Sequence, residues 1–282
     1  MKPVINLLFY SNFWIAVCAT AMVLQTQFLL TEEVVFTPLA GLVFCATLFL
    51  YAIHRIVGLF KVKPFTKTGR YQVISSFKNH IIFYAVIAAI GGLYFFWQIS
   101  FIVKMALIIP GILSFAYVLP FLNGKKRLRD LDFVKIFLVA IVWAWVSVLL
   151  PYLEMNKPAD SSLIFMALER GLFIFAITIP FDIRDLQVDA HNNVTTIPAR
   201  IGARKSKYLA AILMAVSMFC VLLNTYMHFY DLWTAFGLLI SAFFTVFVIN
   251  YADKTEEDYF FTGAVDGLML VQFGMVYGFS FL

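Results

Sequence analysis

Charge is what this chain has least of. Of its 282 residues only 13% are charged while 62% are hydrophobic, and a soluble domain carries about 25% charged residues. A soluble fold of this length could not hide so much apolar surface, because most of its area must face water. Cysteine is scarce as well. Cys18, Cys45 and Cys220 are odd in number, widely spaced and set inside apolar runs, which argues against a disulfide framework or a zinc site and makes them small packing residues. Between Glu33 and Asp130 there is no acidic residue at all. His54, His80, His191 and His228 share no metal-ligand spacing, and no Gly-rich phosphate loop, supportable Ser/His/Asp arrangement or haem or flavin fingerprint occurs.

What the chain does have is long apolar runs. A helix needs about 20 apolar residues to cross the hydrocarbon, and only helices or closed barrels can cross it. Barrel strands would alternate in character and these runs do not. Spans are expected at roughly 5–30, 34–57, 79–97, 101–122, 133–153, 161–183, 207–228, 231–251 and 262–281, with only Trp97-Gln98-Ile99-Ser100 dividing the third from the fourth. The expectation is an all-α integral membrane protein of about nine spans in one domain, 1–282. Lys2 precedes a charge-free stretch from Pro3 to Thr31, far longer than the apolar core of a signal peptide, about 7–15 residues, so the first span is read as uncleaved.

The net charge of +5 does not point to nucleic acid, because the basic residues sit between apolar runs. All lysines and arginines except Lys104, Lys157 and Arg170 fall at the N-terminus or around the loops after spans 2, 4, 6 and 8. The positive-inside rule then puts those segments in the cytoplasm and, with nine spans, the C-terminus outside. A multi-pass protein of the cell membrane with its chemistry at the cytoplasmic face is expected.

The rare acids cluster. After span 6 the chain reads Ile179-Pro180-Phe181-Asp182-Ile183-Arg184-Asp185-Leu186-Gln187-Val188-Asp189. Pro180 can break or kink the helix there. Asp182, Asp185 and Asp189 at i, i+3 and i+7 share one helical face, which repels itself unless a cation neutralises it, and carboxylate oxygens suit Mg2+. After span 4, Lys125, Lys126, Arg127 and Arg129 could hold a phosphate, although a basic cytoplasmic loop is also what topology alone demands. Glu169-Arg170 must lie within span 6, either facing a cavity or as a structural pair with separate partners. Asp266 in the first turns of span 9 raises the same question.

Together these features resemble the UbiA superfamily of prenyltransferases. That family has nine spans and two Asp-rich motifs, in the loops after spans 2 and 6. Asp182, Asp185 and Asp189 match its second motif, with Thr196-Ile197-Pro198 and Gly202 following in register and Asn193 standing where the family often has Gly. Tyr117 with Lys125, Lys126 and Arg127 resembles its Tyr and Lys-Arg after span 4. The resemblance implies a bundle with a central cavity open to the cytoplasm, and transfer of an isoprenoid from a prenyl diphosphate to an aromatic or lipid acceptor. It implies Mg2+ on Asp182 and Asp185, the two catalytic carboxylates, assisted by Asp189, and diphosphate contacts from Tyr117, Lys125, Lys126 and Arg127. The first motif is missing: Leu50-Tyr51-Ala52-Ile53-His54-Arg55-Ile56-Val57-Gly58 holds no acid. Two outcomes follow. Either His54 and Arg55 bind the diphosphate in place of one metal, or Arg55 only obeys the positive-inside rule and His54 is interfacial. Likewise the chain is either an enzyme or a non-catalytic descendant that binds or moves an isoprenoid lipid.

Overall fold

The computed structural model describes residues 8–61, 69–120, 127–255 and 257–282. Among them every regular element is helical, and nine helices are long and apolar enough to cross a membrane. They are α1 (Phe13–Thr31), α2 (Pro38–Lys61), α3 (Lys78–Gln98), α4 (Phe101–Val118), α5 (Val134–Glu154), α6 (Ser161–Arg184), α7 (Ala203–Tyr226), α8 (Leu232–Tyr251) and α9 (Phe260–Phe279). The chain is thus a multi-pass membrane protein.

Local chemistry places the ends. α1 starts later than expected because Asn12 adopts the left-handed conformation at φ 70°, which Asn tolerates. The narrow break between α3 and α4 holds: Ile99 and Ser100 are extended, and the Ser100 side chain accepts from the Val103 N–H to cap α4. Asp160 caps α6 by accepting from Ser162 and Leu163. Pro180 does not break α6, which runs on to Arg184; its missing N–H removes one ladder bond only. π-turns interrupt α5 at Trp145–Leu149, just before Pro151, and open α9 at Phe260–Val265.

α1 and α6 are the most enclosed spans. In their apolar windows 67% and 56% of residues are buried, against 17% for α3 and α4 at the edge. α6 packs on α7 and α5, α1 on α9 and α2, α2 on α3, and α8 on α9. Gly237 lets α8 and α9 touch, since a Cβ there would stand 2.9 Å from the Met275 carbonyl oxygen. Outward faces are apolar, with Phe83, Ile90, Ile112, Phe243 and Phe247 all exposed. Trp97, Phe101 and Tyr226 stand out at hairpin tips, the places where an aromatic belt meets headgroups.

Glu169 and Arg170 are both fully buried, and each has its own partners. Arg170 Nη1 donates to the Met22 carbonyl at 2.9 Å. Glu169 accepts from Tyr230 Oη at 3.3 Å and Gln272 Nε2 at 3.2 Å. The pair therefore ties α6 to α1, α9 and the α7–α8 turn, as a structural pair would.

The sidedness can be tested by labelling. The three native cysteines are buried, so single cysteines introduced for Asn192 and Lys157 should react from opposite faces of sealed vesicles, Asn192→Cys from the cytoplasmic face. Labelling of both from one face would overturn the nine-span arrangement.

Candidate functional site

At one end of the bundle the α2–α3, α4–α5, α6–α7 and α8–α9 connections gather around a cavity of about 260 Å³. Helical spacing brings its walls together. α2 contributes Tyr51, His54 and Arg55, and Tyr117 stands at the end of α4. The α4–α5 connection adds Arg127, Arg129 and Asp130, and α5 adds Lys135, Val139 and Trp143 at successive i+4 steps. α6 supplies Ile174, Ile177, Thr178, Phe181 and Arg184, followed by Asp185, Val188, Asp189 and Asn192. Asp258, Thr262, Asp266 and Met269 come from α9 and the residues before it. A second chamber of about 140 Å³ adjoins it between α2, α4 and α5. It shares Tyr51, His54, Tyr117, Val139 and Trp143 with the first and is otherwise lined by Leu50, Leu113, Ser114, Val118, Leu138 and Val142. The site is therefore a charged mouth leading into an apolar recess.

The charges are arranged by pairing. Arg127 grips Asp130 through Nε at 3.1 Å and Nη2 at 2.8 Å, closing the short helix Leu128–Asp130. Arg184 bridges Asp185 at 2.8 Å and Asp258 at 2.9 Å and lies over the Phe181 and Phe261 rings. Arg55 donates to the Phe9 carbonyl at 3.1 Å and sits over the Tyr10 ring. Arg129 forms no ion pair among the described residues; it lies over the Tyr117 ring and meets His54 Nε2 at 2.5 Å. A guanidinium has only donors, so that ring nitrogen carries no proton and His54 is neutral. Burial opposes the Arg129 charge, but Tyr117 and the carboxylates Asp189, Asp185 and Asp130 outweigh it and hold the guanidinium more firmly charged than usual.

The acidic face does not converge. Lys135 Nζ lies 2.6 Å from Asp182 Oδ1 and 3.4 Å from Asp189 Oδ2, while Asp185 turns to Arg184. Contact with Asp182 is an ion pair without hydrogen-bond alignment. Asp182 is buried behind the ammonium and does not line the cavity. Burial pushes the Asp189 carboxyl up, with Lys135 pulling it back. No group of three or more His, Cys, Asp or Glu side chains among the described residues could hold a metal ion. Mg2+ needs near-octahedral oxygen donors, and with an ammonium already between two of the three carboxylates the donor set does not fit it.

Of the residues singled out in the sequence, His54, Arg55, Tyr117, Arg127, Asp185 and Asp189 line one cavity, and Asp182 stands behind its wall. Lys125 and Lys126 lie outside the described residues. Arg129, one of the four loop cations expected to hold a phosphate, lines the cavity too, whereas Lys135 and Arg184 were not singled out in the sequence. One signal was available for Lys135: it stands alone inside the apolar run Phe133–Phe137, where a charge needs a partner.

Residues 73–265 match the sequence model of the UbiA prenyltransferase family. No curated protein matches the chain. Solved structures do, across nearly the whole length. A UbiA homologue from Aeropyrum pernix K1 is 11% identical with a TM-score of 0.66, covering 97% of this chain and 98% of its own. One from Archaeoglobus fulgidus, bound to GPP and Mg2+, is 10% identical with a TM-score of 0.64, covering 99% and 100%. A digeranylgeranylglyceryl phosphate synthase is 14% identical with a TM-score of 0.56, covering 99% and 97%. At these identities the likeness is one of fold.

Proposed function

The chain belongs to the UbiA prenyltransferase family, and on that premise we propose that it transfers an isoprenoid group from a prenyl diphosphate to an aromatic or lipid acceptor within the membrane. The observation that carries this reading is the charged mouth opening into an apolar recess through shared walls. Such a site matches an amphiphile with a polyanionic head and a hydrocarbon tail. The A. fulgidus homologue is bound to a ligand of this class, GPP. The whole chain acts as one transmembrane domain, with the mouth on the cytoplasmic side of the cell membrane.

The diphosphate head sits among Arg129, Arg127, Lys135 and Arg55, with Tyr117 and His54 where head meets tail. Lys125 and Lys126, from the same loop, assist. The tail lies along Val139, Trp143 and the recess beyond. In the transfer step the allylic C–O bond breaks, its electron pair leaving on the diphosphate, and a bond forms from the allylic carbon to the acceptor. Fixed donors aimed at the leaving oxygens stabilise the charge that develops there. A proton leaves the acceptor, and Asp266, which lines the cavity, is placed to take it. Mg2+ in the homologue is a property of that structure. Lys135 stands between two of the carboxylates that would hold it here, so no step is routed through a metal.

A second reading, a descendant that binds or moves an isoprenoid lipid without chemistry, is favoured by the acid-free stretch Leu50–Gly58. One experiment separates the two. The protein in nanodiscs is given geranyl, farnesyl and geranylgeranyl diphosphates with a membrane lipid extract as acceptor pool, and mass spectrometry follows diphosphate release and prenylated products. Release with a new product is the expected result, and Asp266→Asn should lower the rate about 10²-fold, the scale of a lost general base, while leaving binding intact. Binding without release supports the second reading. Absence of binding overturns both.

A further inference from the structure

We propose that Lys135 occupies the place of a divalent cation between Asp182 and Asp189, so that the site grips a diphosphate with the chain's own cations and needs no metal. The inference rests on the headgroup site proposed above and goes beyond it.

Three observations carry it. First, the Lys135 ammonium, with its side chain only 8% exposed, contacts two carboxylates from α6 and the short helix Leu186–His191, yet it still lines the cavity. It cancels one of those two negative charges, where a divalent ion would cancel both, and it leaves protons free to donate inward. A divalent ion added there would meet a fixed like charge within contact distance, which disfavours its binding. Secondly, the α2 part of the wall, Leu50–Gly58, has no acid to offer. His54 and Arg55 stand on that stretch of α2, and His54 accepts from Arg129 rather than facing a metal as a charged pair would. Thirdly, Arg129 has no ion pair among the described residues and is held over Tyr117 at the cavity wall. An arginine so placed offers two parallel donors to a phosphate group, and a lysine offers a point charge. Carboxylates can reach a diphosphate only through a bridging cation, and Lys135 supplies that bridge covalently attached to the chain.

The test is binding of geranyl diphosphate to the full-length protein in nanodiscs, by calorimetry, once with excess EDTA and once with MgCl2. Wild type should bind in EDTA with an affinity within about threefold of that in Mg2+. Lys135→Ala should lose about tenfold or more in EDTA, the scale of one charged hydrogen bond, and recover when Mg2+ is added, because the vacated carboxylates then accept the ion. Mn2+ titration followed by electron paramagnetic resonance should show a bound ion in Lys135→Ala and none in wild type. Lys135→Ala strips buried Asp182 of its partner, so the paired substitution Lys135→Met with Asp182→Asn is measured beside it. It removes both charges together and should fold but bind weakly in either buffer. Wild-type binding that vanishes in EDTA and returns with Mg2+ overturns the inference while leaving the proposed function standing. So does a Lys135→Ala protein that binds in EDTA as well as wild type. Failure of wild type to bind in both buffers overturns the proposed headgroup site, and the inference with it.

Discussion

Replacing Arg170 with leucine should leave almost no folded protein. The guanidinium is fully buried between α6 and α1, with Nη1 on the Met22 carbonyl at 2.9 Å. Next to it Glu169 is equally buried, held only by the neutral donors Tyr230 and Gln272. With the arginine gone, a carboxylate is stranded in a low-dielectric interior. The two charges make no ion-pair contact but compensate each other through space, and removing one of two such buried charges costs up to about 3–5 kcal/mol, a large share of a total stability of about 5–15 kcal/mol. Removing both charges avoids that cost, since well-packed neutral residues of similar volume are often no worse than a buried ion pair. Glu169→Gln with Arg170→Met should therefore recover most of the folded yield lost in Arg170→Leu. Size-exclusion profiles and thermal unfolding in detergent measure both. A folded Arg170→Leu protein with an unchanged Tm would show that the two charges do not depend on each other.

Arg129→Ala should weaken geranyl diphosphate binding by about 10–150-fold, the equivalent of a charged hydrogen bond worth about 1.5–3 kcal/mol. Among the cations at the mouth, Arg127 is committed to Asp130, and Arg184 to Asp185 and Asp258. Arg129 spends its donors on a neutral imidazole and its face on Tyr117. Its charge therefore has no bonded carboxylate among the described residues. Arg129→Lys should restore less than half of the lost binding free energy, because an ammonium neither stacks on the ring nor offers a planar fork. Tyr117→Phe keeps the ring face and should lower affinity only a few-fold. Calorimetry in detergent or nanodiscs reads all three. Equal affinity in Arg129→Ala and wild type would move the headgroup away from this wall.

The expected spans and the observed helices agree closely from α2 onward because two physical demands act along the chain itself. Hydrocarbon requires about 20 consecutive apolar residues, and a backbone inside it must satisfy its own hydrogen bonds. Both leave a one-dimensional trace, as does the short extended break at Ile99-Ser100. The acidic i, i+3, i+7 spacing was legible too, but the single helical face expected from it is interrupted at Asp185, where α6 ends and the short helix Leu186–His191 begins. The start of α1 was not legible, because the left-handed turn at Asn12 leaves no break in hydropathy.

The sequence by itself determined the fold class and the span order, and it singled out residues that line one cavity. Which cation meets the acidic face was decided only by tertiary structure. Spacing along α6 suggested a shared partner for Asp182, Asp185 and Asp189, but the rotation of α5 against α6 aims Lys135 at Asp182 and Asp189, and Arg184 reaches out to Asp185 and Asp258. The same holds for Glu169 and Arg170, whose partners come from α1, α9 and the α7–α8 turn. Helical periodicity fixes which residues share a face, whereas the facing residue on another helix depends on crossing angle and axial rotation. Those are set by packing over whole helix surfaces, such as the close approach at Gly237, and no local stretch of sequence encodes them.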